Sequence, residues 1–514
     1  MAPSVDPVSE RPPAREDTSA AARKPGGDLP FTAMAFVVAL LPRLYVAIAW
    51  AREPVWDGHY YDFGARRIAA GLGYSDDAVI DGIKVWHPWC HYPVGYSGFL
   101  GVLYRIFGSG PHVATVANAL VGALLVAVVH RLARYATGTW RARIAALITA
   151  ASPGLIVYSA LLMTEPLAAF GTILAAWLFV RRDETASPAP GPLAWIARPI
   201  PGAIAAGVIL GLTILVRPQS LLCAPALAFL ALRPGAGGAW WPGLRSAGKA
   251  LLPAGIALAA ALAVVAPWTV RNCRVMDGCA LVSTNAGWNL AIGAFPRATG
   301  RFETLRGTDG CPVVTGQVQQ DRCWLDEGGR WIRASPARWI GLMPKKLSYT
   351  FDHESFPMGY LGEADPARWP EARKAVGRDV LSVSHRILLA VAALGVIALP
   401  VHRRKKGRFV QMGLLLATLL LALHGVVDDL HQAWPLAVLL PVVAFLPLPG
   451  RPRNGGVIGY LAFAVASVVV THAVFFGEDR YHMVATPALA ILAACALRRP
   501  VEEGEPSGGD RPAK

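Results

Sequence analysis

The sequence is poor in charge. Asp, Glu, Lys and Arg together make up 16% of its 514 residues, whereas 54% are hydrophobic, and the mean hydropathy is +0.41. A soluble enzyme would carry more charge, so this composition indicates a polytopic membrane protein. A basic stripe and any recognised nucleic-acid-binding motif are also lacking. The net charge of +15 comes from short Lys and Arg clusters beside apolar segments, which favours a membrane surface over nucleic acid as the partner.

The first thirty residues lack an apolar face that could be buried. They are rich in Pro, Ala and mixed charge, so we predict that residues 1–30 form a disordered cytoplasmic tail. The first apolar run begins near Phe31 and is long enough to span a bilayer. It is therefore interpreted as a membrane helix rather than as a cleaved signal peptide.

Apolar runs of about 17 to 25 residues are the sequence signature of membrane-spanning helices. The runs near 166, 201 and 219 are short, and they require tilt, local thinning or burial against neighbours. We predict an all-α polytopic membrane protein with about 12 transmembrane helices. The candidate spans lie near 31–50, 112–132, 144–163, 166–180, 201–216, 219–232, 250–267, 384–401, 409–427, 433–449, 456–474 and 482–497.

Lys and Arg clusters alternate along the chain between these spans, and short cytoplasmic loops are enriched in such residues. The clusters place both termini inside. The predicted organisation is a tail at 1–30, a transmembrane module at 31–267 with a first outer loop at 51–111, an extracytoplasmic segment at 268–383, C-terminal transmembrane helices at 384–498 and a cytoplasmic tail at 499–514. The clusters are Arg131, Arg134, Arg141 and Arg143; Arg181 and Arg182; Arg233, Arg245 and Lys249; Arg403 to Lys406 with Arg408; Arg451 and Arg453; and Arg498 and Arg499.

The segment 268–383 is too long to be an unstructured loop of a compact protein, so we expect it to fold. Its start mixes β-branched residues with an Asp-Gly turn signal, whereas RWIRASPARWIGLMPKKLSYTF has helical spacing with Pro at a helix start. The outer side also receives five of the seven cysteines: Cys90, Cys273, Cys279, Cys311 and Cys323. Disulfides are expected there, with several pairings open. The lack of a CxxC pair disfavours zinc in this segment.

The first outer loop is dense in carboxylates, histidines and aromatic residues. Asp57 lies seven residues after Trp50, near the expected headgroup level, where a carboxylate can act between a lipid substrate and a water-side acceptor. Partial burial would raise the pKa of Asp57 towards that of a usable general base. The alternative is an N-cap, because Asp57 precedes a plausible short helix. His59, His87 and His91 do not establish a metal site, since Pro88 interrupts the four-residue spacing of the last two.

Charged residues at the other outer turns are further candidates. Glu165 lies in a tight turn between two apolar runs and is a catalytic candidate, with capping of the following span as the alternative. Four cations flank outer membrane ends, where a guanidinium or an ammonium could hold a lipid phosphate: Arg217, Arg271, Lys345 and Arg480, in that order. Arg43 lies inside the first span and is expected to face the interior, either as a structural partner or as a functional group.

Several pieces of sequence occur in the order found in a known family. They are PVWDGHYYDFGARRIAAGLGYS, HYPVGYSGFLGVLYRIFG, LIVYSALLMTEPL, ILVRPQSLL, APWTVRNCRV with VSTNAGWNLAIGAF, and EDRYHMVATPALAIL. This ordered set resembles the integral-membrane GT-C glycosyltransferases, specifically bacterial relatives of the protein O-mannosyltransferases and the lipid A aminoarabinose transferases. One departure is that Gly58 follows Asp57 where family members often carry Asp-Glu, which makes a metal-dependent variant less well supported. No cofactor is predicted.

The resemblance implies an inverting transferase that moves a sugar from a polyprenyl-phosphate donor to a hydroxyl of an envelope lipid, glycan or protein. The site would face outward from the bacterial cytoplasmic membrane. Asp57 matches the acidic residue that the family uses as general base, Glu165 resembles the acidic residue after the third span, and Arg217 resembles the family's Arg-Pro. A secondary transporter with Arg43 and Glu165 as a charge relay is the alternative. The lack of two similar halves counts against it.

Overall fold

The computed structural model describes residues 28–181, 200–231, 244–312, 316–397 and 455–497, with scattered positions between 412 and 439. Within this part the chain is an all-α membrane protein with one small hairpin. Its elements are α1 (Leu29–Ala49), α2 (Asp57–Ala69), β1 (Ser75–Ile80), β2 (Ile83–Pro88), α3 (Val94–Phe107), α4 (Pro111–Thr137), α5 (Thr139–Ala151), α6 (Pro153–Val157), α7 (Glu165–Arg181), α8 (Ile200–Val216), α9 (Cys223–Ala231), α10 (Leu244–Val275), α11 (Ala286–Ile292), α12 (Gln317–Ala334), α13 (Pro336–Phe351), α14 (Phe356–Ala364), α15 (Glu371–Ile397), α16 (Gly455–Val474) and α17 (Thr486–Ala494).

Five of these helices are long and apolar enough to cross a bilayer, or six if the bent pair Thr139–Ala151 and Pro153–Ala160 counts as one span. The five are Leu29–Ala49, Pro111–Thr137, Leu251–Val275, Glu371–Ile397 and Gly456–Val474. The predicted runs near 166, 201 and 219 form shorter helices, and those at 409–427 and 433–449 lie almost wholly outside the described residues. The multi-pass fold is confirmed, but a count of twelve spans is not.

Proline and glycine set the ends of the helices. Pro111 begins α4, where its missing N–H costs nothing, and the helix ends before Gly138, whose φ of 80° few other residues adopt. Pro153 separates α5 from α6 in the same way. Both α5 and α6 pack on α1 and on α4, so the chain stays against these two helices across the break at Pro153.

Arg43 occupies the interior at the break between α5 and α6. Its side chain is fully buried and donates hydrogen bonds to the carbonyls of Ala39, Thr149 and Ala150 at 2.9 to 3.1 Å. Carbonyls at a helix C-terminus have no partner within the helix, so a buried guanidinium satisfies them. The expected inward orientation is confirmed, and the contacts are those of a structural partner.

The hairpin of β1 and β2 lies in the first outer loop. Its two-residue turn is Asp81-Gly82, and both residues have positive φ (50° and 78°). Asp-Gly favours this turn because both of its positions require left-handed backbone. The described part of segment 268–383 instead consists of helices and turns, with an isolated bridge between Arg301 and Gly477. Pro336 begins α13 as predicted.

Two disulfides close turns in segment 268–383, which is called the outer segment below after its predicted side of the membrane. Cys273 pairs with Cys279 and Cys311 pairs with Cys323, so both pairings join cysteines near each other in the sequence. Cys90 is a free, buried thiol. The second disulfide lies in a small apolar core with Phe295 and Trp324, which packs α11 against α12. The outer segment is therefore folded, as expected from its length.

Candidate active site

Asp57 is the first residue of α2. The residue before it, Trp56, has a φ of 52°, which is unusual for a non-glycine residue and costs about 1 to 3 kcal/mol. The helix has no side-chain N-cap hydrogen bond. Instead, the Asp57 carboxylate accepts a hydrogen bond from the Tyr92 hydroxyl at 2.8 Å and pairs with Arg480 at 2.5 Å. The N-cap alternative is therefore not what this geometry shows.

Arg480 reaches Asp57 from the other end of the chain, on a 3-10 helix that spans Asp479–Val484. It also pairs with Glu478 at 2.8 Å, and its guanidinium lies over the ring of Phe356 at 4.8 Å. Only 13% of its side chain is exposed. Two carboxylates and an aromatic ring thus fix the guanidinium beside Asp57.

Glu165 and Arg217 form a second pair of the same kind. Glu165 begins α7 and is buried, and Arg217 follows α8 at the Arg-Pro turn. Their side chains meet at 2.6 Å, and Arg217 also donates to the Thr164 hydroxyl at 3.0 Å. The ring of Tyr481 lies 5.3 Å from the Arg217 guanidinium and 5.1 Å from that of Arg480. One tyrosine therefore contacts both arginines.

These two acid–arginine pairs face one cavity of about 840 Å³. Aromatic residues of the first outer loop line one wall, and amide side chains of the outer segment line another. A volume of this size is sufficient for a sugar and a phosphate group. The lining residues used below are Asp57, Glu165, Arg217 and Arg480 with Tyr61, Trp89, His91, Tyr92, Asn285, Trp288, Gln317, Gln320 and Tyr481.

The electrostatics of Asp57 differ from the prediction. Burial would raise the pKa of this carboxyl, but the charge of Arg480 and the hydrogen bonds from Arg480 and Tyr92 outweigh it and hold the pKa below its usual value. The expectation of a raised pKa, which considered burial alone, was therefore wrong. Burial lowers the pKa of the neighbouring His91, although Asp57 opposes that shift.

Gly58 explains the departure from Asp-Glu. A Cβ at this position would lie 2.4 Å from the Tyr360 hydroxyl and 3.1 Å from the carbonyl of Leu162. Real Cβ atoms do not approach other atoms at 2.4 Å, so a carboxylate side chain here requires Tyr360 to move. The Tyr360 hydroxyl thus occupies the space that the side chain of a second carboxylate beside Asp57 would need.

Two of the four predicted cations lie outside the cavity. Arg271 donates to the carbonyls of Tyr74 and Trp89 at 2.8 and 3.0 Å and lies over the ring of Trp268. These contacts fasten the first outer loop to α10. Lys345 lies on α13 with its ammonium 6.0 Å from the ring of Tyr349. Arg217 and Arg480 are the two that the structure brings together.

The remaining charged candidates have separate partners. His87 contacts Asp76 at 2.7 Å across the hairpin, away from Asp57. Arg43 contacts backbone carbonyls, whereas Glu165 pairs with Arg217, so the two residues suggested as a transporter relay do not share a contact.

Tyr92, Glu478 and the amide side chains of the outer segment were not predicted as site residues. Tyr92 and Glu478 both lie in motifs that carried the family resemblance, HYPVGY and EDRYH. That position was the one signal that could have found them. Gln317 and Gln320 lie on the first turn of α12, in a stretch without any such signal.

Comparison with known proteins adds a family match. Residues 91–270 match the model of the family described as dolichyl-phosphate-mannose-protein mannosyltransferase. Among curated proteins, no relative matches this chain. The matched range contains Tyr92, Glu165 and Arg217 but stops short of Arg480.

Two solved structures match this chain at low identity and with TM-scores below 0.5. The oligosaccharyltransferase AglB from the archaeon Archaeoglobus fulgidus, in complex with an inhibitory peptide and a dolichol-phosphate, is 15% identical with a TM-score of 0.45, covering 91% of this chain and 50% of that one. The chain thus spans about half the length of AglB. ArnT from Cupriavidus metallidurans, bound to undecaprenyl phosphate, is 17% identical with a TM-score of 0.35, covering 90% of this chain and 77% of that one.

The family match starts at the residue before Tyr92 and ends in α10, and so includes one complete acid–arginine pair of the cavity. It confirms, over residues 91–270, the resemblance of this chain to the integral-membrane GT-C glycosyltransferases related to the protein O-mannosyltransferases.

Proposed function

We propose that this protein is an inverting glycosyltransferase that moves a sugar from a polyprenyl-phosphate donor to an acceptor hydroxyl. The acceptor is a lipid, glycan or protein of the envelope, and the reaction takes place on the outer face of the bacterial cytoplasmic membrane. The observation that carries this proposal is that Asp57 and two arginines, Arg217 and Arg480, line the same cavity. A carboxylate and two guanidiniums suit a reaction that removes a proton and releases an anion.

The chemical step needs a base and an anion site. The acceptor oxygen attacks the anomeric carbon, its proton passes to the Asp57 carboxylate, and the bond between that carbon and the phosphate oxygen breaks. The electron pair of the broken bond leaves with the polyprenyl phosphate. A hydroxyl is a poor nucleophile at neutral pH, so removal of its proton in the transition state contributes about 10² to 10⁴ in rate. Attack from the face opposite the phosphate inverts the anomeric centre.

The lowered pKa of Asp57 suits the resting protein rather than the working complex. A carboxylate that is paired with Arg480 is ionised but weakly basic. A donor phosphate competes for the same guanidinium, because arginine binds phosphate through charge-assisted hydrogen bonds. Loss of the Arg480 charge from Asp57 raises the pKa of Asp57, which makes it a stronger base only once donor is bound.

Arg217 is the second phosphate ligand in this proposal, and Glu165 positions it. Glu165 is almost fully buried and lies at 2.6 Å from Arg217, which makes it a poor base for a bulky acceptor. Its charge keeps the Arg217 guanidinium at the cavity wall beside Tyr481. Fixed cations of this kind stabilise the charge that develops on a leaving phosphate.

The outer segment supports the acceptor side of the proposal. Asn285, Trp288, Gln317 and Gln320 lie on the cavity wall formed by residues 268–383. Aromatic rings and amides are suited to sugar hydroxyls, since rings pack on apolar sugar faces and amides both donate and accept. The transmembrane module 31–267 and the helices at 384–498 would then hold the prenyl tail, with tails at 1–30 and 499–514 inside.

The test is transfer by the purified full-length protein in liposomes that contain radiolabelled lipid-linked sugars from a bacterial membrane extract. Label should move from lipid to acceptor, and NMR should show an inverted anomeric configuration in the product. Label that remains on the lipid while solutes accumulate in the liposomes supports the transporter alternative instead. A product with retained configuration contradicts the single-displacement step.

A further inference from the structure

We propose that Glu354, His385 and His482 form a binding site for a divalent transition-metal ion, with zinc as the ion that their chemistry favours. Each residue offers one ligand atom, and these atoms all lie within 4.8 Å of one another. All three side chains are buried, with exposures of 4%, 4% and 0%. None of them lines the cavity of Asp57, so this site is separate from the candidate active site.

The hydrogen bonding of His482 leaves its Nε2 lone pair facing the Glu354 carboxylate, so two hydrogen-bond acceptors face each other. Its Nδ1 lies 2.8 Å from the carbonyl oxygen of Thr350. Because a carbonyl only accepts, Nδ1 carries a hydrogen, so Nε2 of the neutral ring has a lone pair. That Nε2 faces the Glu354 carboxylate at 3.6 Å. Among the described residues, neither His482 Nε2 nor Glu354 Oε1 has a hydrogen-bond partner.

Two buried acceptors that face each other require a cation between them, since an unpartnered buried polar group costs free energy. The cation is either a proton, carried by Glu354 or by His482 Nε2, or a metal ion. His385 favours the metal, because it adds a third ligand to the same space. Its Nε2 contacts the carbonyl of Phe351 at 3.0 Å, which leaves the Nδ1 lone pair free of that bond.

The neighbouring carbonyls of Thr350 and Phe351 thus set the tautomers of both histidines. A metal-bound histidine usually donates its other N–H to a carbonyl or a carboxylate in this way. Ligands at zinc distances of 2.0 to 2.1 Å lie about 3.4 Å apart in a tetrahedron. The 3.6 Å between His482 and Glu354 is close to that value. The imidazole rings stack with centroids 3.6 Å apart, so metal binding turns the His385 ring out of this stack.

The ligand set selects the ion. Calcium and magnesium prefer oxygen ligands, whereas two imidazoles with one carboxylate suit zinc and leave a fourth position for water. The three residues come from three parts of the chain: the segment before α14, the middle of α15 and the 3-10 helix Asp479–Val484. A metal here would link these parts at one point.

The link bears on the active site through Arg480, which precedes His482 by two residues. The same 3-10 helix is already tied to the segment before α14, because Asp479 accepts hydrogen bonds from the backbone N–H groups of Ser355 and Phe356. The metal is therefore a positioning element for Arg480 and does not touch substrate. Metal binding itself does not depend on the proposed function, and only its effect on transfer does.

The experiment uses full-length protein without a histidine tag, stripped with chelator and titrated with zinc. Metal content is measured by inductively coupled plasma mass spectrometry and the melting temperature by tryptophan fluorescence. About one tightly bound zinc per chain is expected, with a higher melting temperature in the zinc-loaded protein. Glu354→Gln should bind zinc at least tenfold more weakly. His112→Asn, which removes an exposed histidine that is not part of the cluster, should bind zinc like the wild type.

Three results would overturn the site. One is a wild-type protein whose melting temperature and metal content do not respond to zinc, which leaves a proton on Glu354 or His482 as the cation. Another is equal zinc binding by Glu354→Gln and the wild type. The third is a loss of zinc binding in the Asp57→Asn variant but not in the Glu354→Gln variant, because the ion then lies in the cavity of Asp57. If Glu354→Gln does not fold, the wild-type titration alone decides the question.

Discussion

Removal of the Glu165 charge should destabilise the protein more strongly than removal of an exposed carboxylate. Glu165 is 1% exposed and Arg217 is 12% exposed, so Glu165→Gln leaves a buried guanidinium without its counter-charge. Such a change costs about 3 to 5 kcal/mol, because the remaining charge is desolvated and uncompensated. Replacement of both partners by neutral residues, as in Glu165→Gln with Arg217→Met, should recover much of this loss.

The measurement is the free energy of unfolding from detergent denaturation in mixed micelles, followed for the two single variants and the double variant. Asp365→Asn is the matched control, since Asp365 pairs with Arg52 at 2.7 Å but that arginine is 39% exposed. An exposed pair contributes about 0.2 to 1 kcal/mol. If Glu165→Gln loses no more stability than Asp365→Asn, the pair is not buried as described and the positioning role of Glu165 fails.

Two further predictions concern proton binding and topology. Tyr92→Phe removes a hydrogen bond that lowers the pKa of Asp57, so the acid limb of kcat/KM should move to higher pH, whereas Tyr104→Phe, which removes a similar bond to Asp62, should leave it unchanged. The lowered pKa of Asp57 also means that the ionised carboxylate stabilises the folded protein. This stabilisation is complete above the unfolded-state pKa of about 3.9 and is lost as the pH falls through the lower pKa of the folded state. Reporter fusions after residues 300 and 404 should report opposite sides of the membrane, and agreement between them would refute the outward-facing site.

The helices were predictable from the sequence because their signals are local. Long apolar runs depend on neighbouring residues alone, and they predicted the helices at 31–50, 112–132 and 456–474 closely. Pro at a first turn likewise predicted the start of α13. The number of spans was harder to obtain. Helices such as Ile200–Val216 are apolar enough but short, and apolarity does not separate a membrane span from a helix buried among others.

The site was only partly predictable, because its contacts join distant residues. Asp57 and Arg480 are 423 positions apart, and no sequence spacing reports such a pair. Position at a membrane end suggested all four cations. Arg480 was placed last among them, yet it is the one that pairs with Asp57. Arg271 has the same kind of position, but its guanidinium fastens loop carbonyls instead.

The predicted direction of the Asp57 pKa shift was wrong because it too depends on a residue distant in the sequence. Burial can be anticipated for a residue near the headgroup level, but the cation that reverses its effect comes from the far end of the chain. The Glu354, His385 and His482 cluster was likewise invisible, since no two of its members lie at a metal-ligand spacing in the sequence. The Asp57 pKa and this cluster thus both depend on contacts between distant parts of the chain, which local sequence patterns do not report.

The most direct test of the account is sugar transfer by Asp57→Asn beside Asp62→Asn. Both carboxylates lie on α2, and each accepts a hydrogen bond from a tyrosine and pairs with an arginine: Asp57 with Tyr92 and Arg480, Asp62 with Tyr104 and Arg66.

Of the two, only Asp57 lines the cavity. The measurement is the rate of transfer from a polyprenyl-phosphate sugar, with donor binding and melting temperature recorded for each variant. Asp57→Asn should bind donor but lose about 10² to 10⁴ in transfer rate, while folded Asp62→Asn retains it. Near-normal transfer by Asp57→Asn would contradict the assignment of Asp57 as the base.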